Sequence, residues 1–153
     1  MSALETLNLS GVSNVTNQVI YALASNSKNL KQLIINNAQI TSLCDVASMQ
    51  SLVDLSIINC NKIENTESFR FLAQLRSLTH LSIVGSKILT HESFAAIIDC
   101  IGKNLRKLRL DGCKKLDDRS FLKIAQCGKK IRILLMKDIE LTSHILSYLG
   151  LMW

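Results

Sequence analysis

The segment Leu105-Arg106-Lys107-Leu108-Arg109-Leu110-Asp111-Gly112-Cys113 carries the pattern Leu-x-x-Leu-x-Leu, and the rest of the chain repeats it. Toward the amino end the pattern recurs as Leu78-Leu81-Ile83, Leu52-Leu55-Ile57, Leu30-Leu33-Ile35 and Leu4-Leu7-Leu9. Toward the carboxyl end it recurs once more, as Ile131-Leu134-Met136. The leading residues 4, 30, 52, 78, 105 and 131 are spaced by 26, 22, 26, 27 and 26 residues. A period of this size marks a stacked solenoid, because one such unit cannot bury its own apolar face. The expected organisation is a single α/β domain over residues 1–153 with about six repeats.

Around each Leu-x-Leu the residues alternate apolar and polar, the pattern of a short strand with one buried face. Stacking units in one direction makes the strands parallel, so each requires a crossover to the next. In the fifth unit Asp117 is placed as a helix N-cap, with Phe121, Leu122, Ile124 and Ala125 at helical spacing behind it. Thr16 and Thr90 share Asp117's offset of twelve residues, and in the third unit Asn65 or Thr66 takes that role above Phe69 and Leu72. The short second unit places Ile40, Leu43, Val46 and Met49 at intervals of three, which predicts a 3₁₀-like return and a local change of curvature. The reading is a horseshoe segment with a parallel sheet inside the curve and helices outside.

With 48% apolar and 20% charged residues the chain has the proportions of a globular protein. No apolar run nears the roughly 20 residues that span a bilayer. The start, Met1-Ser2-Ala3-Leu4-Glu5, has the layout of neither a secretory signal nor a transit segment. The five cysteines, Cys44, Cys60, Cys100, Cys113 and Cys127, are odd in number, dispersed and without a C-x-x-C pair, which argues against disulfides and a metal site. Cys60 and Cys113 stand eight residues after their leading Leu, and Cys100 and Cys127 stand 22 after theirs. The expectation is mostly buried free thiols in a reducing, intracellular compartment, cytoplasmic or nuclear, with a mitochondrial setting as the alternative. No cofactor is expected, since phosphate-loop and dinucleotide glycine patterns are absent.

These residues resemble the leucine-rich repeat superfamily, from Leu4 to about Tyr148. The long units are similar to its cysteine-containing subclass, through Leu52-x-x-Leu55-x-Ile57-x-x-Cys60 and Leu105-x-x-Leu108-x-Leu110-x-x-Cys113. The stretch from Leu116 to Cys127 looks like that subclass's helix motif, although Val12, Ala38, Ser86 and Ile139 replace the cysteine in the other units. The subclass is common in F-box proteins, the substrate-receiving subunits of ubiquitin ligases, which implies that the concave sheet engages a protein substrate. Similar short repeat proteins also serve as assembly factors or fixed subunits of large complexes, including mitochondrial ones.

The positions two, four and six after each leading residue point away from the core. The candidate partner-binding set on that face is Ile34, Asn36, Asp54, Ser56, Ile58, His80, Ser82, Val84, Lys107 and Arg109, with Asp111 on the same row. Ile58 and Val84 share an offset and form an apolar cluster on a face otherwise polar, with Ile34 nearby, the signature of a contact patch. β-branched residues also favour strands regardless of contact. Up to Asp99 six Lys/Arg stand against seven Asp/Glu, a net of −1; from Cys100 onward twelve stand against five, a net of +7. Lys107 and Arg109 therefore point to an acidic protein partner. Nucleic acid is disfavoured because this face lacks aromatics for base stacking.

Asp54, Ser56 and His80 fall on adjacent strands, but a catalytic triad needs the His between the other two and a preformed oxyanion hole. A surface ion pair between Asp54 and His80 is the expected arrangement, and the protein is read as a non-enzyme. The first strand begins close to Met1, so its edge is expected to be covered by a further domain, a partner or a second copy. At the other end Ile145, Leu146, Leu149, Leu151, Met152 and Trp153 are expected to cap the last repeat.

Overall fold

Each repeat core forms one strand of a six-stranded parallel sheet in the computed structural model, which describes residues 3–152 except for the side chains of Leu149 and Met152. The strands are β1 (Thr6–Asn8), β2 (Gln32–Asn36), β3 (Asp54–Ile58), β4 (His80–Val84), β5 (Lys107–Arg109) and β6 (Ile133–Leu135). They lie in sequence order. The register follows the repeat: Leu33 stands against Leu55, Leu55 against Leu81, and Leu81 against Leu108. A slip of one residue would turn this whole row to solvent, so the leucines themselves enforce the register.

The returning segments are α1 (Asn17–Asn26), α2 (Cys44–Ala47), a 3₁₀ helix (Thr66–Gln74), α3 (His91–Ile101), α4 (Asp118–Cys127) and α5 (Ser143–Met152). The core lies between them and one face of the sheet. Phe69, Phe94 and Phe121 are buried there together with the Leu33, Leu55, Leu81 and Leu108 row. Each such side chain contributes about 1.5–3 kcal/mol through burial. Asp117 caps α4 in a full capping box with Ser120, and Thr90 and Asn65 accept from the backbone N–H groups of Ser93 and Glu67. Thr16 stands at the N-cap of α1 but makes no side-chain cap bond.

The helix types differ from the sequence expectation in two units. The second unit returns through a single α turn, Cys44–Ala47, and not a 3₁₀ helix. The third unit, expected to hold an ordinary helix, holds the 3₁₀ segment. Phe69, Leu72 and Leu75 explain it: they recur every three residues and all are buried, which the threefold period of a 3₁₀ helix aligns on one stripe. In the second unit Ile40, Leu43, Val46 and Met49 keep the same spacing and are buried, but only one turn of helix links them.

One further backbone feature repeats throughout. The residue seven after each leading position has a positive φ: Gly11, Asn37, Asn59, Gly85, Gly112 and Asp138. Only Gly, Asn and Asp visit this left-handed region routinely, and all six positions carry one of the three. The chain leaves the sheet there, and the parallel hydrogen-bond ladder continues past the ends of the strands. The N–H groups of Asn59, Gly85 and Gly112 donate to the carbonyls of Val84, Asp111 and Lys137, each at 2.8 Å. On the helical side neighbouring units are tied by hydroxyl groups: Ser68 Oγ accepts from Leu43 N at 2.8 Å, and Thr66 Oγ1 donates to Ser93 Oγ at 3.0 Å.

All five cysteines are free thiols. Cys113 is buried, Cys60, Cys100 and Cys127 are partly covered, and Cys44 is exposed, so burial is less general than the repeat positions implied. The carboxyl-terminal cap is also narrower than expected. Ile145 is buried and Tyr148 packs against the core, whereas Leu146 and Leu151 are exposed. The side chains of Leu149 and Met152, and all of Trp153, lie outside the described residues. At the amino end Leu4, Leu7 and Leu9 pack against the core but stay partly exposed, unlike the sealed leucines of the inner units.

Candidate functional site

The face of the sheet turned away from the helices presents its side chains in rows, one residue per strand. Gln32, Asp54, His80, Lys107 and Ile133 form the first row, with each pair in direct register. The second row is Ile34, Ser56, Ser82, Arg109 and Leu135. In the third, Asn36 stands against Ile58, and Ile58 against Val84. Neighbours within a row are about 4.8 Å apart, the spacing of paired strands. All ten residues of the candidate set thus lie on this one face, and each is half-buried.

Ile58 and Val84 meet in register. Ile34 pairs with Ser56 instead, so it touches their row only diagonally. The apolar element of the site is therefore a pair with a flanking neighbour. Beside it, the Oδ1 atom of Asn36 is buried with no hydrogen-bond partner among the described residues, an arrangement that costs free energy until a donor reaches it.

The charged groups pair differently from the sequence expectation. Asp54 and His80 are register partners but do not form an ion pair. Asp54 accepts from Gln32 Nε2 at 2.9 Å on the opposite side, and His80 Nδ1 shares a 2.8 Å hydrogen bond with Thr79 Oγ1. Ser56 faces Ser82, two residues along from His80. The Asp54, Ser56 and His80 side chains therefore form no hydrogen-bonded relay.

Arg109 is likewise not a free cation. Its Nε donates to Asp111 Oδ2 at 2.6 Å. Asp111 is not an exposed member of the face as its offset suggested: it is buried, and its Oδ1 accepts from Lys137 N at 3.0 Å. That leaves Lys107 as the member of the basic pair without an ion-pair partner among the described residues. At the far edge of the sheet Ile133 and Leu135 are exposed, at 47% and 40%. They extend the apolar surface into the last strand, where the candidate set had not placed it. Both were readable from the offsets two and four after Ile131.

The left-handed positions also lie outside the candidate set, although the eighth residue of each unit being Gly, Asn or Asp is a plain signal for them. They shape the loops along one rim of the sheet. Among the described residues no helix is long and apolar enough to cross a membrane.

With six parallel strands, returning helices and a leucine core, the chain is a leucine-rich-repeat solenoid, and solved structures of that fold superpose on it. Internalin C2 from Listeria monocytogenes matches with a TM-score of 0.64 at 17% identity, over 94% of this chain. The chain spans 66% of that internalin's length. The carboxyl-terminal domain of tropomodulin from Caenorhabditis elegans matches with a TM-score of 0.58 at 13% identity, over 84% of each chain. No protein-family model and no curated protein sequence matches the chain.

Proposed function

We propose that the protein is a non-enzymatic interaction module that holds a protein partner against the open face of its sheet. The observation that carries this reading is the in-register Ile58–Val84 pair, apolar and half-exposed among Asn36, Ser56, Ser82, Asp54 and His80. An apolar centre with a polar rim is the usual anatomy of a protein interface. The resemblance to the cysteine-containing subclass favours substrate recognition in an F-box, ubiquitin-ligase-like setting. Lys107 favours an acidic contact on the partner.

A second reading is a fixed subunit or assembly factor of a large complex. The exposed Ile133 and Leu135 on β6 favour it, since an apolar pair left open gains from being covered. In the first reading a bound partner covers the middle of the sheet; in the second, neighbours cover its ends.

The test begins with affinity purification from the native source and mass spectrometry, followed by calorimetry with the purified partner. Ile58→Glu/Val84→Glu is expected to leave stability within about 0.5 kcal/mol per site and to weaken binding at least tenfold. A folded double variant with unchanged affinity refutes the first reading. Loss of binding in Ile133→Glu/Leu135→Glu alone moves the contact to the edge.

A further inference from the structure

The strongest unassigned feature lies on the rim of the sheet and not on its open face. The loops that leave β3, β4 and β5 enclose a half-open groove of about 540 Å³, within the size range of small-ligand sites. Its floor is backbone: Gly85 and Gly112, both at positive φ, pack so closely that a Cβ on Gly112 would stand 3.4 Å from Gly85 Cα. Its walls are Asn59, whose side chain lies over Gly85, with Asn61, Lys87, Lys114 and Lys115. Asn61, Lys87 and Lys114 each stand nine residues after their leading Leu, on three successive loops. The ladder bonds of Asn59, Gly85 and Gly112 hold those loops in register two residues earlier, so the three side chains start from adjacent points.

Among the described residues Lys87, Lys114 and Lys115 have no ion-pair partner, whereas Lys31, Arg109, Arg119 and Lys123 each hold a carboxylate. Asn61 likewise makes no side-chain hydrogen bond. Carboxylates flank the groove: Glu64 shares a neighbouring hollow with Lys87, and Asp138 and Glu140 share one with Lys114. They line the hollows on either side and are absent from the lining of the groove itself, so positive potential is concentrated between them. Like-charged ammonium groups on adjacent loops repel unless an anion sits among them.

We propose that this groove binds a phosphoryl group. Three ammonium groups carry more charge than a single carboxylate offsets, while a dianion with three acceptor oxygens matches both the charge and the donors of Lys87, Lys114 and Asn61. Lysine serves such sites as a point charge. The Gly112 backbone leaves its part of the floor open to a ligand, whereas the Asn59 side chain already lies over Gly85. The phosphoryl group comes either from a free phosphorylated compound or from a phosphorylated side chain of a protein. This site is separate from the open face of the sheet and stands or falls independently of the partner proposed there.

Calorimetry of the whole chain with pyrophosphate and with a glycine-flanked phosphoserine peptide tests it. At least one is expected to bind with a Kd below about 1 mM and to raise the melting temperature, as any ligand of the folded state does. Lys87→Gln/Lys114→Gln is expected to weaken that binding at least tenfold. Lys129→Gln/Lys130→Gln, which removes equal charge at the opposite rim, is expected to change it less than twofold. The urea midpoint of the first double variant in dilute buffer should not fall, because an uncompensated repulsion has been removed. Tighter binding of pyrophosphate identifies a free compound as the source, and tighter binding of the peptide identifies a partner's side chain. Absence of binding to both probes, or equal losses in the two double variants, overturns the proposal.

Discussion

Gly85 offers the sharpest test of how the repeats are joined. Its φ is +71°, and a Cβ built on it would lie 2.1 Å from Asn59 Oδ1 on the preceding loop. Gly85→Ala therefore incurs two separable costs. The left-handed backbone costs an L side chain about 1–2 kcal/mol, and displacing Asn59 from its place adds about 1–3 kcal/mol of overpacking. Gly11, at φ +76°, has nothing within 4 Å of the corresponding Cβ. Gly11→Ala is accordingly expected to lose about 1–2 kcal/mol and Gly85→Ala about 2–5 kcal/mol. In an Asn59→Gly background the obstructing amide is gone, while Gly suits the positive φ of residue 59. There Gly85→Ala should cost only the backbone share. Urea unfolding at constant m reads all four variants, a loss of 3 kcal/mol shifting the midpoint by about 1.5 M for an m near 2 kcal/mol/M. Equal losses at Gly85 in both backgrounds would show that Asn59 does not occupy the space described. Losses under about 0.5 kcal/mol at both glycines, the scale of ordinary surface changes, would refute the left-handed exit itself.

Two further outcomes follow from titratable groups. Asp117 is partly buried, which alone would raise its pKa, but the Arg119 side chain and the Ser120 N–H outweigh that and hold it below the usual value. A carboxyl depressed in the folded state stabilises above its unfolded pKa, near 3.9, and that stabilisation is lost as pH falls through the lower folded value. Asn still caps a helix, so Asp117→Asn isolates the charge. The wild type should be the more stable at pH 7, and the gap in urea midpoint should close below about pH 4; a gap as wide at pH 3 would refute the assignment. Burial pushes the Cys113 thiol up to about 11, whereas Cys44 is exposed. A thiol reagent at pH 8, where about one Cys113 in a thousand is thiolate, should label Cys44 rapidly and Cys113 only after unfolding, when all five react. Cys113 reacting at the rate of Cys44 in native protein would contradict its burial.

Much of the fold was legible because it depends on short-range pattern. Leu33, Leu55, Leu81 and Leu108 are apolar at one offset, and pairing them is the only register that hides them all. Asp117 reads as a cap because its side chain answers amides two and three residues ahead. The type of helix was less legible: intervals of three occur in both the second and third units, and only packing of Phe69, Leu72 and Leu75 against the sheet shows which becomes 3₁₀. The left-handed exits were legible and overlooked, since Asn, Gly and Asp look unlike one another until their backbone need is recognised.

The sequence by itself determined the repeat, the strand register, the buried leucine rows and which side chains share the open face. These follow from a period of two along strands and about 26 between units, and neither requires knowing a distance. Tertiary structure alone decided how the charges are spent. Asp54 turns to Gln32, 22 residues back, and not to His80, its equally close register partner. Arg109 is taken by Asp111, while Lys87, Lys114 and Lys115 have no ion-pair partner among the described residues. Hydrogen bonds and ion pairs form or fail over a few tenths of an ångström, and several partners stand within reach of each group. Choice among them is set by the packed positions of neighbouring repeats, which no local pattern contains.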